Sequence, residues 1–364
     1  MINARIASVD FLRGITIILM ILVNNPGSWS HVYAPLLHAT WNGLTFADLV
    51  FPFFLYIIGI SIALVYREKS MGLGMFKKIV TRSLKLILLG LFLNAFLPYF
   101  PFFESFKTFR IPGVLQRIGI VFFMTSILYI LCNKTYFITI IIASLTLYWI
   151  WLVFVPLPGN IPPTMDRGAH NWANYIDILF LKGHLWKHDY DPEGVLSTIP
   201  SIATACIGSI IGRILISNRK NIHFILLTLG ITLLITGYIW SFIFPINKAI
   251  WTSSFVLVTA GYATIVLALL YYIQDIKKIR IGYTIKAVGA NSILIYFLSI
   301  FIAKSFYLIT IKGEGNIHNW LFETFLVHDL LSLKFSSFIY AILVACFYLT
   351  IAYLLHRKKI YIKV

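Results

Sequence analysis

"HATWNGLTFADLVFPFFLYIIGISIA", residues 38–63, decides how the rest of the chain is read. After Asp48 no charged side chain appears before Arg67. A helix needs roughly 20 mostly apolar residues to cross a ~30 Å hydrocarbon layer while bonding its own backbone. Residues 46–66 meet that length. The front of the stretch is different, because His38, Trp41, Asn42 and Asp48 crowd the point where the chain enters lipid. That pattern predicts a polar site on the rim of a membrane bundle.

The same logic extends outward. The 364 residues are 59% hydrophobic and 12% charged, with 16% aromatics and a mean hydropathy of +0.87. A soluble domain of this length cannot hide that much apolar surface. Ten spans are expected, at 11–27, 46–66, 79–97, 111–132, 135–155, 195–216, 224–244, 252–273, 285–303 and 336–355, with an amphipathic 306–335 segment able to hold a half-span. The expected fold class is all-α, a polytopic membrane helix bundle forming one domain over 1–364. The basic, apolar start resembles a signal peptide, but Asp10 and Arg13 abut it and no small-x-small cleavage pattern follows, so it reads as a retained span.

A formal charge of +17 in a soluble protein would suggest nucleic acid, but here the bases sit in short loops between apolar runs and set orientation. One alternate set of loops holds Arg5, Arg67, Lys69, Lys77, Lys78, Lys134, Arg219, Lys220, Lys277, Lys278, Arg280, Arg357, Lys358, Lys359 and Lys363. The other carries most of the acids, including Glu104, Asp166, Asp177, Asp189, Asp191, Glu193, Glu314, Glu323 and Asp329. Both termini are therefore expected in the cytoplasm, with His31 and His38 facing out. Cys132, Cys206 and Cys346 show no metal-like spacing.

Polar groups inside a bilayer are costly unless they face a cavity or partner. Arg13, Arg82, Lys85, Arg213 and Lys286 lie near cytoplasmic span ends, with no acid inside the spans to match them except Asp48 at the far rim. Arg82 and Lys85 share a helical face. Bases without acids suggest an anionic ligand; snorkelling to lipid headgroups is the plainer reading. Toward the outer side, Arg110 and Arg117 stand seven apart with Gln116 beside the second, and Arg117 lies roughly 10 Å into its span, where it should line a cavity. Asn247, Lys248 and Ser254 mark another outer junction, and Asn291 lies inside a span. The 156–194 loop offers His184 and His188, a spacing that grips a metal only on a helical turn; Pro and Gly nearby favour a structural or sugar-facing cap, and no metal site is assigned.

His38 is the sharpest candidate. Imidazole titrates near pH 6.5 and is the usual general base. A rim histidine is ordinarily a solvated group, but His38 keeps company with Asn24, Asn42 and Asp48. Asp48 either holds the imidazole tautomer or begins its helix.

"ASVDFLRGITIILMILVNNPGSW", "HATWNGLTFADLVFPFFLYIIGISIA", "RSLKLILLGLFLN", "RIPGVLQRIGI", "DPEGVLSTIPSIAT" and "FPINKAIWTSSFVLVTAG" occur in that order between residue 7 and residue 261. Together they resemble the bacterial relatives of heparan-alpha-glucosaminide N-acetyltransferase, within the wider transmembrane acyltransferase group. The resemblance implies a multi-pass protein of the bacterial inner membrane that passes acetyl from cytosolic acetyl-CoA to the amine of a terminal glucosamine across the membrane. It implies an active histidine at His38 and a nearby asparagine at Asn24. Lysosomal members carry an extra leading domain and span, which implies eleven spans there against ten here.

Under that reading Arg13, Asn42, Arg82, Lys85, Arg110, Gln116, Arg117, Asn247, Lys248, Ser254 and Asn291 are the expected donor-binding residues. Phosphates are expected near Arg82 and Lys85, and the sulfur within reach of His38. The expected partners are an amino-sugar or glycan acceptor and membrane lipid, without nucleic acid, and the oligomeric state is left open, a homodimer included. A transporter of N-acetylated sugars and a glycan O-acetyltransferase use the same residue types. The first should show paired half-structures or broken helices; the second differs only in acceptor.

Overall fold

A computed structural model describes residues 6–67, 69–217, 219–279, 281–311 and 315–362. Arg5, Arg280, Glu314 and Lys363, which entered the charge-asymmetry reading, lie outside the described residues. Thirteen α-helices are present among the described residues. Ten stand at the expected spans: α1 (Ala7–Asn24), α2 (Phe46–Tyr66), α3 (Leu73–Ala95), α4 (Val114–Leu131), α5 (Lys134–Phe154), α7 (Thr198–Leu215), α8 (Ile222–Ser241), α9 (Ser253–Tyr271), α11 (Ser292–Leu308) and α13 (Leu333–Arg357). The other three are short: α6 (Trp172–Leu181), α10 (Tyr283–Ala290) and α12 (Ile317–Leu326).

Among the described residues, eight helices are long and apolar enough to cross a membrane. A ninth crossing counts only if α10 and α11 are one span, and they meet at 82°. The tenth expected span, α3, runs for 23 residues but begins six positions earlier than expected and carries Lys77, Lys78, Arg82 and Lys85. Charge does not stop a helix whose long basic side chains reach back to the interface. Among its described residues, the 306–335 segment holds α12, whose 10 residues make about 15 Å of helix, half the thickness of a hydrocarbon layer.

Small residues bring the central helices together, as membrane packing without a hydrophobic drive between helices requires. A Cβ placed on Gly59 of α2 would stand 1.8 Å from the Ala205 carbonyl oxygen of α7. Gly208 of α7 is as tight against α2, with Ser209 Oγ donating to the Gly59 carbonyl at 3.1 Å. Gly14 admits the backbone of Ile285 and so seats α10 against α1.

The bundle has two unlike ends. Backbone amides of Ala7 and Ser8 donate to Asp275, and Asn291 clasps Ile360 and Ile362, so both described ends of the chain lie together at what is called here the terminal end. The opposite, histidine end carries the 25–45 segment, the α3–α4 connection, the α5–α7 connection with α6, and the α8–α9 turn.

Candidate active site

Local sequence builds the histidine end. Thr45 and Asp48 form a capping box that starts α2, the arrangement that satisfies free N–H groups at a helix start. Asp48 is fully buried; its Oδ2 accepts from the Thr45 and Ala39 amides and from Thr45 Oγ1 at 2.9–3.1 Å. Its Oδ1 lies 2.8 Å from His38 Nδ1. The two readings of Asp48 are therefore both true: one oxygen starts the helix and the other holds the imidazole. A carboxylate accepting at Nδ1 fixes the proton there and leaves Nε2 as the basic nitrogen.

Lys248 stands beside the pair. Its Nζ is 3.0 Å and 3.2 Å from the two His38 ring nitrogens and 3.5 Å from Asp48 Oδ1. Burial pulls its pKa below the ordinary lysine value, against the pull of the Asp48 charge. The turn that presents it is pinned to the histidine loop. Asn247 Nδ2 donates to Asn42 Oδ1 at 3.0 Å, and the Gly43 amide donates to the Ile246 carbonyl at 2.8 Å. Ser254 supports that turn from below, donating to the Phe244 carbonyl at 2.6 Å.

The two outer arginines do not line one cavity. Pro112 and Gly113 delay α4 until Val114, because a residue before proline avoids the helical region. Arg117 consequently lies in the first turn rather than two turns deep. It is buried, donates to the Gly194 carbonyl at 3.0 Å and to Ser197, and faces the Trp251 ring at 5.2 Å. Arg110 precedes the helix and is gripped by Asp191, with Nε to Oδ2 at 2.8 Å, and by Glu193. Burial opposes its charge, but these carboxylates outweigh that and hold its pKa above the usual arginine value. Gln116 donates to the Ile111 carbonyl and fills the space left by Gly90 and Gly113. These three residues knit loops together. In the same connection Asp177 of α6 accepts from the Val195 amide, and burial pushes its pKa up to about 7. His184 Nδ1 lies 2.9 Å from the Phe109 carbonyl oxygen and His188 is solvent-facing beside Asp189, so the His-x-x-x-His pair serves the loop.

Two cavities enter the bundle from opposite ends. At the terminal end, about 480 Å³ is lined by Arg13, Ser61, Tyr66, Arg82, Phe122 and Asn291 among others, with Phe54 at its depth. Arg13 reaches Ser61 at 2.7 Å and pairs with Asp10, so the expectation of a base without an acid fails there. Arg82 lies over the Phe122 ring at 4.6 Å, and no carboxylate of the described residues pairs with it. Lys85 is not in this wall. Asn291 is, although both ends of its amide also hold the chain at Ile360 and Ile362. Arg213 lies elsewhere, stacked on Tyr129 and Phe137.

At the histidine end, about 570 Å³ is lined by Asn24, Asn94, Glu104, Arg110, Trp186, Tyr296 and Lys304 among others. Asn24 thus opens into a cavity whose wall does not include His38. The His38 side chain is 44% exposed at the rim. Trp186 of that wall packs against Tyr190, and Tyr190 against Trp41 of the His38 loop; the expected conduit ending on the imidazole is not formed by this cavity. On α11, Ile293 lines one cavity and Tyr296 the other, one helical turn apart. Lys304 and Tyr296 went unread in the sequence, although a lysine within an apolar run was signal enough.

Such a site and fold define a class: a multi-pass helical membrane protein with a carboxylate-held histidine at one rim. A family model described as "Heparan-alpha-glucosaminide N-acetyltransferase, catalytic" matches residues 5–230, and the chain belongs to that family. The mouse and human proteins named heparan-alpha-glucosaminide N-acetyltransferase are each 32% identical to it, over alignments of 420 and 422 residues that cover 99% of this chain. The chain spans 60% of the length of these two relatives.

Proposed function

We propose that this chain is an acetyl-CoA-dependent N-acetyltransferase of the bacterial inner membrane, acting as one transmembrane domain on an amino sugar at the exoplasmic side. The observation that carries this is the His38–Asp48 hydrogen bond of 2.8 Å in a member of an N-acetyltransferase family. The histidine end is the exoplasmic side in this reading, the terminal end is cytoplasmic, and the 156–194 loop caps the acceptor side.

Acetyl-CoA enters the terminal-end cavity, where Arg82 and Arg13 suit its phosphates and the Phe54 and Phe122 walls suit its thin arm. Rotation of Tyr296 joins the two cavities for the acetyl end, and displacement of the Trp186, Tyr190 and Trp41 rings opens the joined space to His38. The acceptor ammonium takes the place of Lys248 at His38 Nε2 and loses its first proton to solvent. The neutral amine attacks the thioester carbonyl, Nε2 takes the second proton from the attacking nitrogen, and collapse of the tetrahedral adduct expels the thiolate, which takes that proton from the imidazolium. Asp48 stabilises that imidazolium. Asn24 or the Asn42 amide supplies a donor to the oxyanion.

The test is acetylation of glucosamine by purified protein. His38→Ala lowers kcat by about 10²–10⁴-fold while acetyl-CoA still binds; unchanged turnover removes the mechanism. One observation favours a second reading, transport: the 82° break at Asn291 is the discontinuous helix that transporters use. Uptake of intact N-acetylated sugar into vesicles without acetyl-CoA decides for it. O-acetylation is distinguished by whether the product's acetyl group survives mild base, which cleaves esters and spares amides.

A further inference from the structure

A third cavity, about 580 Å³, opens sideways between α11, α12 and α13. Its wall is apolar, with Phe306, Phe325, Leu343, Val344 and Phe347 prominent, and Phe325, Leu343 and Phe347 are more than half exposed. Its polar floor is closed to ligands. His318 Nε2 lies 3.0 Å from the Gly27 carbonyl oxygen, which requires a proton on that nitrogen and leaves Nδ1 to accept from Tyr340 Oη at 3.1 Å. What distinguishes the groove from ordinary lipid-facing surface is its continuity. Asn25 and Ala303 belong both to its wall and to the wall of the polar cavity at the histidine end.

The geometry points to an acceptor that is itself membrane-anchored: an amino sugar carried on a single long hydrocarbon chain, the chain in the α11–α13 groove and the sugar in the polar cavity. This rests on the acetyltransferase reading and narrows its substrate. The polar half offers what such a head needs. Glu104 suits the hydroxyls of a sugar, and Trp186, 51% exposed, offers a sugar its face. Lys304 follows Ala303 directly at the junction. Its Nζ donates to the Leu93 and Asn94 carbonyls at 3.0 and 2.7 Å, and an ammonium has three N–H groups, so one remains for an oxygen linking sugar to chain. A free sugar would gain nothing from the apolar half, whereas a chain entering from the bilayer side reaches the head cavity without crossing water.

The experiment uses the protein in nanodiscs with two acceptors, methyl glucosaminide and a hexadecyl glucosaminide bearing a diazirine near the chain end. The expected result is kcat/KM at least tenfold higher for the long chain, falling to near parity in Val344→Trp, which obstructs the groove without changing how the acceptor partitions into lipid. Photolabelling is expected on α11–α13 residues of the groove in wild type and lost in the variant. A long-chain preference that survives Val344→Trp, equal turnover of both acceptors, or label spread over other helices each overturns the inference and marks the groove as filled by bulk lipid. Label confined to the groove with no acetylation of either acceptor upholds the lipid site and defeats the acetyltransferase reading instead.

Discussion

At the histidine end Arg110 meets Asp191 and Glu193, Arg167 meets Asp189, and Lys248 meets Asp48. At the terminal end Arg82 has the Phe122 ring and, among the described residues, no carboxylate. The contrast has a physical meaning. Charges paired within the protein fix geometry, which a proton acceptor needs, because buried pairs are costly to break from either side. A cation left on an aromatic face keeps its hydrogen-bonding capacity for an anion that arrives. Under the proposed function, one end of this bundle orients and the other receives.

Replacing Asp48 attacks the orienting end at its centre. Asp48→Asn should lower kcat about 10²–10⁴-fold, measured as acetyl transfer at saturating substrates, because an amide no longer enforces the Nδ1–H tautomer. Activity within threefold of wild type would break the comparison. Next in size, Arg82→Gln should raise the KM for acetyl-CoA about 10–100-fold, the worth of a charge-assisted hydrogen bond, and leave kcat nearly unchanged. Lys85→Gln, outside the cavity wall, is the matched control; an equal effect there would mean that net basic charge rather than position matters.

A separate effect concerns stability. Asp177, raised to about 7 in the fold, ionises near 3.9 when unfolded. Between those values the folded state holds a proton that the unfolded chain has lost, so stability falls as pH rises from about 4 to 7. Asp177→Asn should flatten that part of the Tm-against-pH curve, and a curve parallel to wild type would place the titration elsewhere.

The helices could be read from the sequence because a bilayer imposes a length that apolar runs either meet or miss. Two features escaped for definite reasons. The break before Ser292 has no proline or paired glycines to announce it; it depends on α10 seating against Gly14 and on Asn291 bonding chain some seventy positions away. The role of Arg110 escaped as well, since its carboxylates lie 81 and 83 residues onward in a loop that gives no periodic signal. His38 was legible as a candidate because imidazole, asparagine and aspartate are expensive beside lipid. Its separation from the cavity that holds Asn24 was not, because that cavity is walled by loop residues such as Glu104 and Trp186, which carry no periodic signal.

The clasp of Asn291 on Ile360 and Ile362 bears on biogenesis. Ile362 is itself part of the terminal-end cavity wall, alongside residues of α1 through α4. Chains are inserted from the N-terminus as they are made, so the helices that frame this chamber are in the bilayer well before its last wall residue leaves the ribosome. Until then the chamber is missing a wall residue and the Asn291 side chain both of its backbone partners.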